Sequence, residues 1–534
     1  MYDLILKNGM VCDGTGTEPY AADVAVEAGR IAAVGQNLSG AKQVLNVGGL
    51  MVTPGFIDCH SHGDYNFLLG ADGWNQLEQG ITTEVCGNCG GSPAPSSPGD
   101  GDFFSGTFPK ERIEEAMRIS ETPEGLMEHT AQMKLGTNMA FLEGHGTLRQ
   151  RVMGYCPDTP TEKQLAEMKR WLRRAMECGH LGLSTGLIYP PSVYAKTPEL
   201  VELAKVVAEY GGIYASHIRG EGDFCIPAVK EAIEIGEQSG CRVEISHHKV
   251  EGVRNEGNSR VTLRLMEEAV ARGVHLRCDQ YPFVACSTSL SSALPPEYMT
   301  DGMEAFLQKL HDPAVRAEIT RRLLADDGSF DNVLPIAGFE RWMVADSLHG
   351  TALPGETIAD LAEKRGCSPF EVVFDLLTEN EGDVKMIYFT INESDLMNII
   401  AHPLTSCGTD GSHVPGRPGP DAPPTVHPRY LCTFPRHLRL VREQGKMTAG
   451  QAIYRLTGAA AEQLLLPEVG YIKPGYAADL CVIDWENIGE TADFLHPFRP
   501  NKGIEYVFVS GKAAVENGRA TGVRAGRLLR RRME

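Results

Sequence analysis

Short alternating apolar and polar positions, broken by glycine, fill the first 55 residues: DLILKNGMVCDG, ADVAVEAGRIAAVGQ and QVLNVGGLMVTPG. Alternation bounded by turn residues predicts antiparallel β hairpins. The same texture returns in GYIKPGYAADLCVIDW and IEYVFVSGKAAVENGRATG near the other end. One small β domain drawn from both termini is therefore expected. In between, apolar strand candidates end in polar residues and are followed by helical stretches such as TEKQLAEMKRWLRRAMECG and CIPAVKEAIEIGEQSG. That order predicts a parallel sheet. Eight strand endings can be read: GFIDCHSH, GITTEVCGNCG, TNMAFLEGHGT, GLSTGLIYP, GGIYASHIRGE, RVEISHHKV, HLRCDQYPF and LTSCGTDG. Eight strands close a β/α barrel, whose active site lies at the strand C-terminal ends.

The expected fold class is α/β: a (β/α)8 TIM-like barrel over residues 53–466 and a small β-sandwich formed by residues 1–52 and 467–534. The gap between the seventh and eighth endings predicts an inserted lid subdomain at about 288–348. GGSPAPSSPGDGDFFSGTFP, residues 90–109, reads as a Pro/Gly/Ser-rich loop.

Composition narrows the function. The chain has 534 residues, 42% of them hydrophobic, which suits a large globular protein. A formal net charge of −20 argues against general nucleic-acid binding, which needs a basic surface. The one basic cluster, RAGRLLRRRME from Arg524 to Glu534, reads as a solvated end. The first residues lack the pattern of a secretory signal, and no apolar run reaches membrane-spanning length. Fourteen scattered cysteines are unlike a disulfide framework and point to reduced thiols in the cytoplasm.

The strand endings carry the candidate chemistry. Side chains at i and i+2 of a strand face one way, so His60 and His62 share a site. His217 and His247 stand at two further endings, and Asp410 closes the series in GTDG. Imidazole is a common zinc ligand, and a carboxylate can accept a proton from water held at a metal. Cys86 and Cys89 form a Cys-x-x-Cys, but at a barrel strand end rather than at the helix start a redox pair needs. His248 adjoins His247 and is expected to point away from it. His145 is a pocket-lining candidate but reads more simply as a polar core histidine. Asp58 and Asp64 read as hydrogen-bonding support for the His pair.

Over nearly its whole length the chain resembles the N-acyl-D-amino-acid deacylases, or D-aminoacylases, of the amidohydrolase superfamily. VTPGFIDCHSH, GITTEVCGNCG, GHGTLR, SHIRGEG, SHHK, TDG, HPR and GYIKPGYAADLCVID carry the resemblance. GNCG with SHHK marks this branch. Many superfamily members bridge two metals with a carboxylated lysine, and LSTGLIYPP on the fourth strand offers no lysine. The resemblance implies that Cys89 takes its place. It then implies one tight zinc on Cys89, His217 and His247, and a second, weaker position shaped by His60, His62 and Asp410. Lys249, two residues past His247, and Arg429 in HPRY match substrate-carboxylate contacts of that family, with Tyr189, Tyr281 and Ser287 as hydroxyl partners.

The expected activity is zinc-dependent hydrolysis of N-acyl-D-amino acids, with Asp410 as the catalytic base. The expected partner is a small molecule, with no nucleic acid and no membrane. Neutral D side chains are expected to be preferred, because FVACSTSLSSALPPEYM, residues 283–299, contains no cation and its Leu290, Ala293 and Leu294 suit an apolar group. Arg219 and Arg417 are the alternative sources of a cation. A hydantoinase or dihydroorotase type of cyclic-amide hydrolase, and a catalytically inert barrel serving as an interaction protein, are the competing readings.

Overall fold

A computed structural model of the chain describes residues 1–97 and 110–532. Most of the Pro/Gly/Ser-rich stretch read as a loop, from residue 98 to 109, lies outside the described residues.

Eight short parallel strands form the barrel: β1 (Phe56–Asp58), β2 (Ile81–Cys86), β3 (Asn138–Phe141, continued by Glu143–Gly144), β4 (Gly182–Gly186), β5 (Ile213–His217), β6 (Arg242–Ile245), β7 (Leu276–Gln280) and β8 (Thr405–Cys407). Neighbours pair in that order. A parallel bridge between Ser61 and Gly411 closes the ring, with Asp410 N donating to the His60 carbonyl at 2.7 Å. Nearly every strand residue is buried, as expected of parallel strands covered on both faces. One of the surrounding helices, Glu162–Glu177, starts at a capping box in which Thr161 and Gln164 bond reciprocally. Among the described residues no helix is long and apolar enough to cross a membrane.

The β domain draws strands from both ends of the chain. Nine strands, five from Tyr2–Pro54 and four from Leu480–Ala520, join in one continuous hydrogen-bonded sheet. The sheet forks at Tyr2–Val11, a strand long enough to use different partners along its length: Ala41–Asn46 on Tyr2–Lys7, and Met51–Pro54 on Met10–Val11. Both of these pair parallel to it, so QVLNVGGLMVTPG is not the hairpin its alternation predicts. The tail also departs from expectation. Instead of lying in solvent, it runs along β3: Gly526 N donates to Leu135 O and Leu529 N to Met139 O, and Leu529 is buried. Two apolar leucines among the arginines drive that docking.

The segment after β7 is larger than the 288–348 expected. Strands Cys286–Ser289, Val384–Tyr388 and Trp342–Ser347 form an antiparallel sheet with Val384–Tyr388 in the centre. A sheet whose middle strand is its last in sequence cannot end at residue 348. Leu290, Ala293, Leu294, Phe306, Trp342 and Phe374 belong to its separate core.

Candidate active site

The strand ends of the barrel open into a cavity of about 1490 Å³ whose far wall comes from the inserted segment. At its floor three imidazoles surround one thiol. Cys89 Sγ lies 3.2 Å from His60 Nε2, 3.3 Å from His247 Nε2 and 3.7 Å from His217 Nδ1. Asp410 Oδ1 stands 3.1 Å from His62 Nε2 and 3.6 Å from His60 Nε2. Ligand atoms of His60, Cys89, His247 and Asp410 all fall within 4.8 Å of one another, as do those of His217, Glu221 and His247. One cysteine, four histidines and a carboxylate form a donor set suited to zinc.

The backbone aims these groups at some cost. Cys89, His247 and Asp410 have φ of 51°, 35° and 48°, in the left-handed region that non-glycine residues seldom occupy. Such conformations persist only where the surroundings enforce them. The fourth strand helps. A Cβ at Gly186 would sit 2.1 Å from the Cys89 carbonyl oxygen, so this strand holds a glycine where the thiol loop packs. Behind the cluster, Asp58 accepts from His60 N at 3.1 Å and Thr409 N at 2.8 Å, and Asp279 accepts from His247 N at 2.9 Å. Asp64 lies 3.6 Å from His62 Nδ1.

Electrostatics favour an ionised cluster. Burial opposes charge on Cys89, but the His60 and His247 imidazoles and the hydrogen bond to His217 outweigh it and hold the thiol well below its ordinary value. Burial likewise opposes charge on Asp410, and Arg429, His247 and His62 reverse it. Burial pushes the Cys86 thiol well up, and it packs in an apolar cluster with Phe67 and Phe141.

Two buried cations flank the cluster, each with an internal acid. Lys249 Nζ contacts Glu221 Oε1 at 2.6 Å and His247 Nδ1 at 2.8 Å. Arg429, first residue of helix Arg429–Gln444, meets Asp410 Oδ2 at 2.8 Å and donates to the Ser287 carbonyl at 3.0 Å. Tyr281 lies beneath both, its ring 4.9 Å from the Arg429 guanidinium and 5.5 Å from Lys249 Nζ, and its buried hydroxyl has no hydrogen-bond partner among the described residues. Tyr189 Oη pairs with Thr288 Oγ1 at 3.0 Å. Glu221 is the acid the strand-end pattern does not single out; its place four residues after His217 in SHIRGEG is the signal.

One expectation is corrected and one alternative is ruled out. Leu290, Ala293 and Leu294 turn into the core of the insert, while Ser289, Ser291 and Ser292 line the cavity. The 3₁₀ turn Leu290–Ala293 directs the leucines away. Neither alternative arginine lines the cavity: Arg219 is clamped to Glu231 and Arg417 to Glu78. His145 is the buried polar histidine of its simpler reading. It bridges Ser192 Oγ (2.9 Å) and Glu199 Oε1 (3.0 Å) in a fully buried chain, with Arg149 neutralising Glu199. That serine–histidine–glutamate order resembles a nucleophilic triad, but burial withholds it from substrate. His248 turns away as expected and contacts Thr262 Oγ1 at 2.9 Å.

Comparison with known proteins supplies names for similar chains. The profile of the Amidohydrolase family matches residues 43–515. The D-aminoacylase of Alcaligenes xylosoxydans xylosoxydans is 34% identical, over 99% of this chain and 98% of that protein. The N-acyl-D-glutamate deacylase of the same organism is 32% identical, over 99% of this chain and 96% of that one. The crystal structure of N-acyl-D-glutamate deacylase from Bordetella bronchiseptica, complexed with zinc and a phosphonate mimic of the tetrahedral intermediate, superposes with a TM-score of 0.82. Its sequence identity is 31%, over 99% of both chains.

Proposed function

Because the chain belongs to the Amidohydrolase family, we propose that it hydrolyses N-acyl-D-amino acids to a D-amino acid and a carboxylate. The observation that carries the reading is the convergence of three imidazoles on Cys89 opposite the Asp410–Arg429 pair. Cys89, His217 and His247 would hold one zinc tightly, and His60, His62 and Asp410 would form a weaker position. Zinc held there supplies polarisation of the amide carbonyl and activation of water. Asp410 takes the proton of the attacking water and returns it to the leaving nitrogen.

Lys249, Arg429, Tyr281, Tyr189 and Ser287 bind the α-carboxylate. Both cations keep their own acids, so the substrate joins a balanced cluster, and the open hydroxyl of Tyr281 is its free donor. The segment from Cys286 to Tyr388 serves as the lid. Neutral D side chains are preferred, because the serines that line the cavity carry no charge and both candidate arginines are occupied elsewhere, which leaves Lys385, paired with Ser289, as the one insert cation at that wall among the described residues. Fourteen free thiols accord with work in the cytoplasm.

Assay of N-acetyl-D-leucine beside a hydantoin, with zinc analysis after dialysis, tests the proposal. Turnover of the acyl amino acid by a zinc-bearing protein is expected. Hydantoin opening alone would favour the cyclic-amide reading, and a protein that holds no zinc would favour the inert barrel.

A further inference from the structure

One fully buried carboxylate outside the ligand set joins two of the segments that carry it. Glu84 lies on β2 with no solvent exposure. Its oxygens accept from Ser61 Oγ at 2.7 Å, from Gln76 Nε2 at 3.2 Å and from Thr137 Oγ1. His413 Nε2 lies 3.0 Å from one oxygen and 3.1 Å from the other. Ser61 stands between His60 and His62, and His413 is three residues past Asp410.

The two segments are already stitched by backbone. Asp410 N donates to His60 O and His62 N to Gly411 O, both at 2.7 Å. Ser412 Oγ donates to His62 O at 2.7 Å. Glu84 grips this seam from behind, with a hydroxyl of one side and an imidazole of the other. The His413 ring also fills the space over Gly63, where a Cβ would come 2.9 Å from its Nε2. A buried carboxylate accepting from several donors is a rigid hub, and losing one member leaves the others unsatisfied.

We propose that the Glu84–His413 pair fixes the register between the first and eighth strand ends, making Glu84 a positioning residue that holds Asp410 against His60 and His62 while touching neither substrate nor metal ligand. The inference rests on the reading of Asp410 as the proton-transfer group. It separates two parts of the cluster: His217 and His247 sit on other strand ends, away from this seam, while Cys89 follows β2, the strand that carries Glu84 and receives Ser61 N at Val85 O.

Glu84→Gln, which keeps shape but not charge, should lower kcat for N-acetyl-D-leucine by about tenfold or more, since small misplacements of reacting groups are costly. KM should stay within about threefold, and zinc retained after dialysis should be unchanged, because the substrate anchors, His217 and His247 lie on other elements and the substitution keeps the β2 backbone that leads to Cys89. Glu84→Asp should recover part of the loss. His413→Gln should resemble Glu84→Gln, and the double variant should be no worse than the poorer single, as for residues acting as one unit. A kcat within about twofold of the parent, losses that multiply in the double variant, or loss of tight zinc would each overturn the proposal. Should Glu84→Gln fail to fold, Ser61→Ala decides: it cuts the link from Glu84 to the first strand end together with the local bond from Gly63 N, and an unchanged kcat refutes the idea, whereas a fall with zinc retained supports it. Asp410→Asn is the control. If that variant is active, the reading of Asp410 falls; if it is inactive while Glu84→Gln runs at full rate, only the positioning role falls.

Discussion

On one side of Cys89 stand His217 and His247, with Glu221 and Lys249 behind them. On the other stand His60 and His62, facing Asp410 and Arg429. Each side contains two imidazoles and one buried acid–cation pair, at 2.6 Å and 2.8 Å respectively. The difference is where the acid points. Glu221 meets His247 at Nδ1, 3.1 Å away, on the nitrogen remote from Cys89. It therefore orients a ligand, as outer carboxylates do for metal-binding histidines. Both acids line the cavity, but Asp410 meets His62 and His60 at their Nε2 atoms, and His60 Nε2 is the nitrogen beside Cys89. Asp410 is available to a substrate. On the proposed reading, the same groups build a holding side and a working side, and the orientation of each acid is what would assign the roles.

The largest test of that contrast removes the thiol they share. Cys89→Ala is expected to lose both tight zinc and activity, whereas Cys86→Ala, altering a buried thiol in an apolar cluster, keeps both. Zinc content of the two purified proteins checks this, and zinc retained without Cys89 breaks the assignment. Next in size, Asp410→Asn should stay folded and hold zinc but lose about 10²–10⁴-fold in rate, the usual worth of a positioned base. A variant within about threefold of the parent, well under 1 kcal/mol, would place proton transfer elsewhere.

Smaller effects sharpen the comparison. Lys249→Met should raise KM for N-acyl-D-amino acids more than for the matching amides. It should also cost stability, about 3–5 kcal/mol if Glu221 is left charged and buried alone. Arg429→Met should raise KM and also lower kcat, because it strips Asp410 of its partner. Equal damage to acids and amides in both variants would leave only a structural role; steady-state kinetics and thermal melts separate the cases. The smallest expected effect is on side-chain choice: kcat/KM for N-acetyl-D-leucine should exceed that for N-acetyl-D-glutamate. If the glutamate derivative wins, a cation serves the side chain after all, and Lys385, beside Ser289 on the insert, is the first to replace.

The barrel was legible because its signals are local. Each strand is a short apolar run ending in a polar residue, and alternation alone places His60 with His62. That Cys89 lies among three histidines is a tertiary fact: the loop reaches them through left-handed backbone, which no periodicity records. Glu221 and Glu84 were hidden for the same reason, since an acid in a strand or loop says nothing of the lysine or histidine it meets. Leu290, Ala293 and Leu294 point away from the cavity because a 3₁₀ turn reverses faces over single residues. The tail deceived by composition: its arginines suggest solvent, yet two leucines and backbone hydrogen bonds decide its place.

The forked sheet has a consequence for how the chain reaches its native state. Strand Met51–Pro54 leads directly into β1, and its antiparallel partner, Leu480–Ile483, is made only after the whole barrel. Contacts so distant in sequence form slowly, because a long loop must close before they repay its entropy. During synthesis the first strands therefore wait with one edge bare, a template for pairing with other unfinished chains. Nascent chains should draw on chaperones until Leu480–Ala520 emerges, and variants that delay or weaken those last strands should be lost to aggregation before they are lost to inactivity.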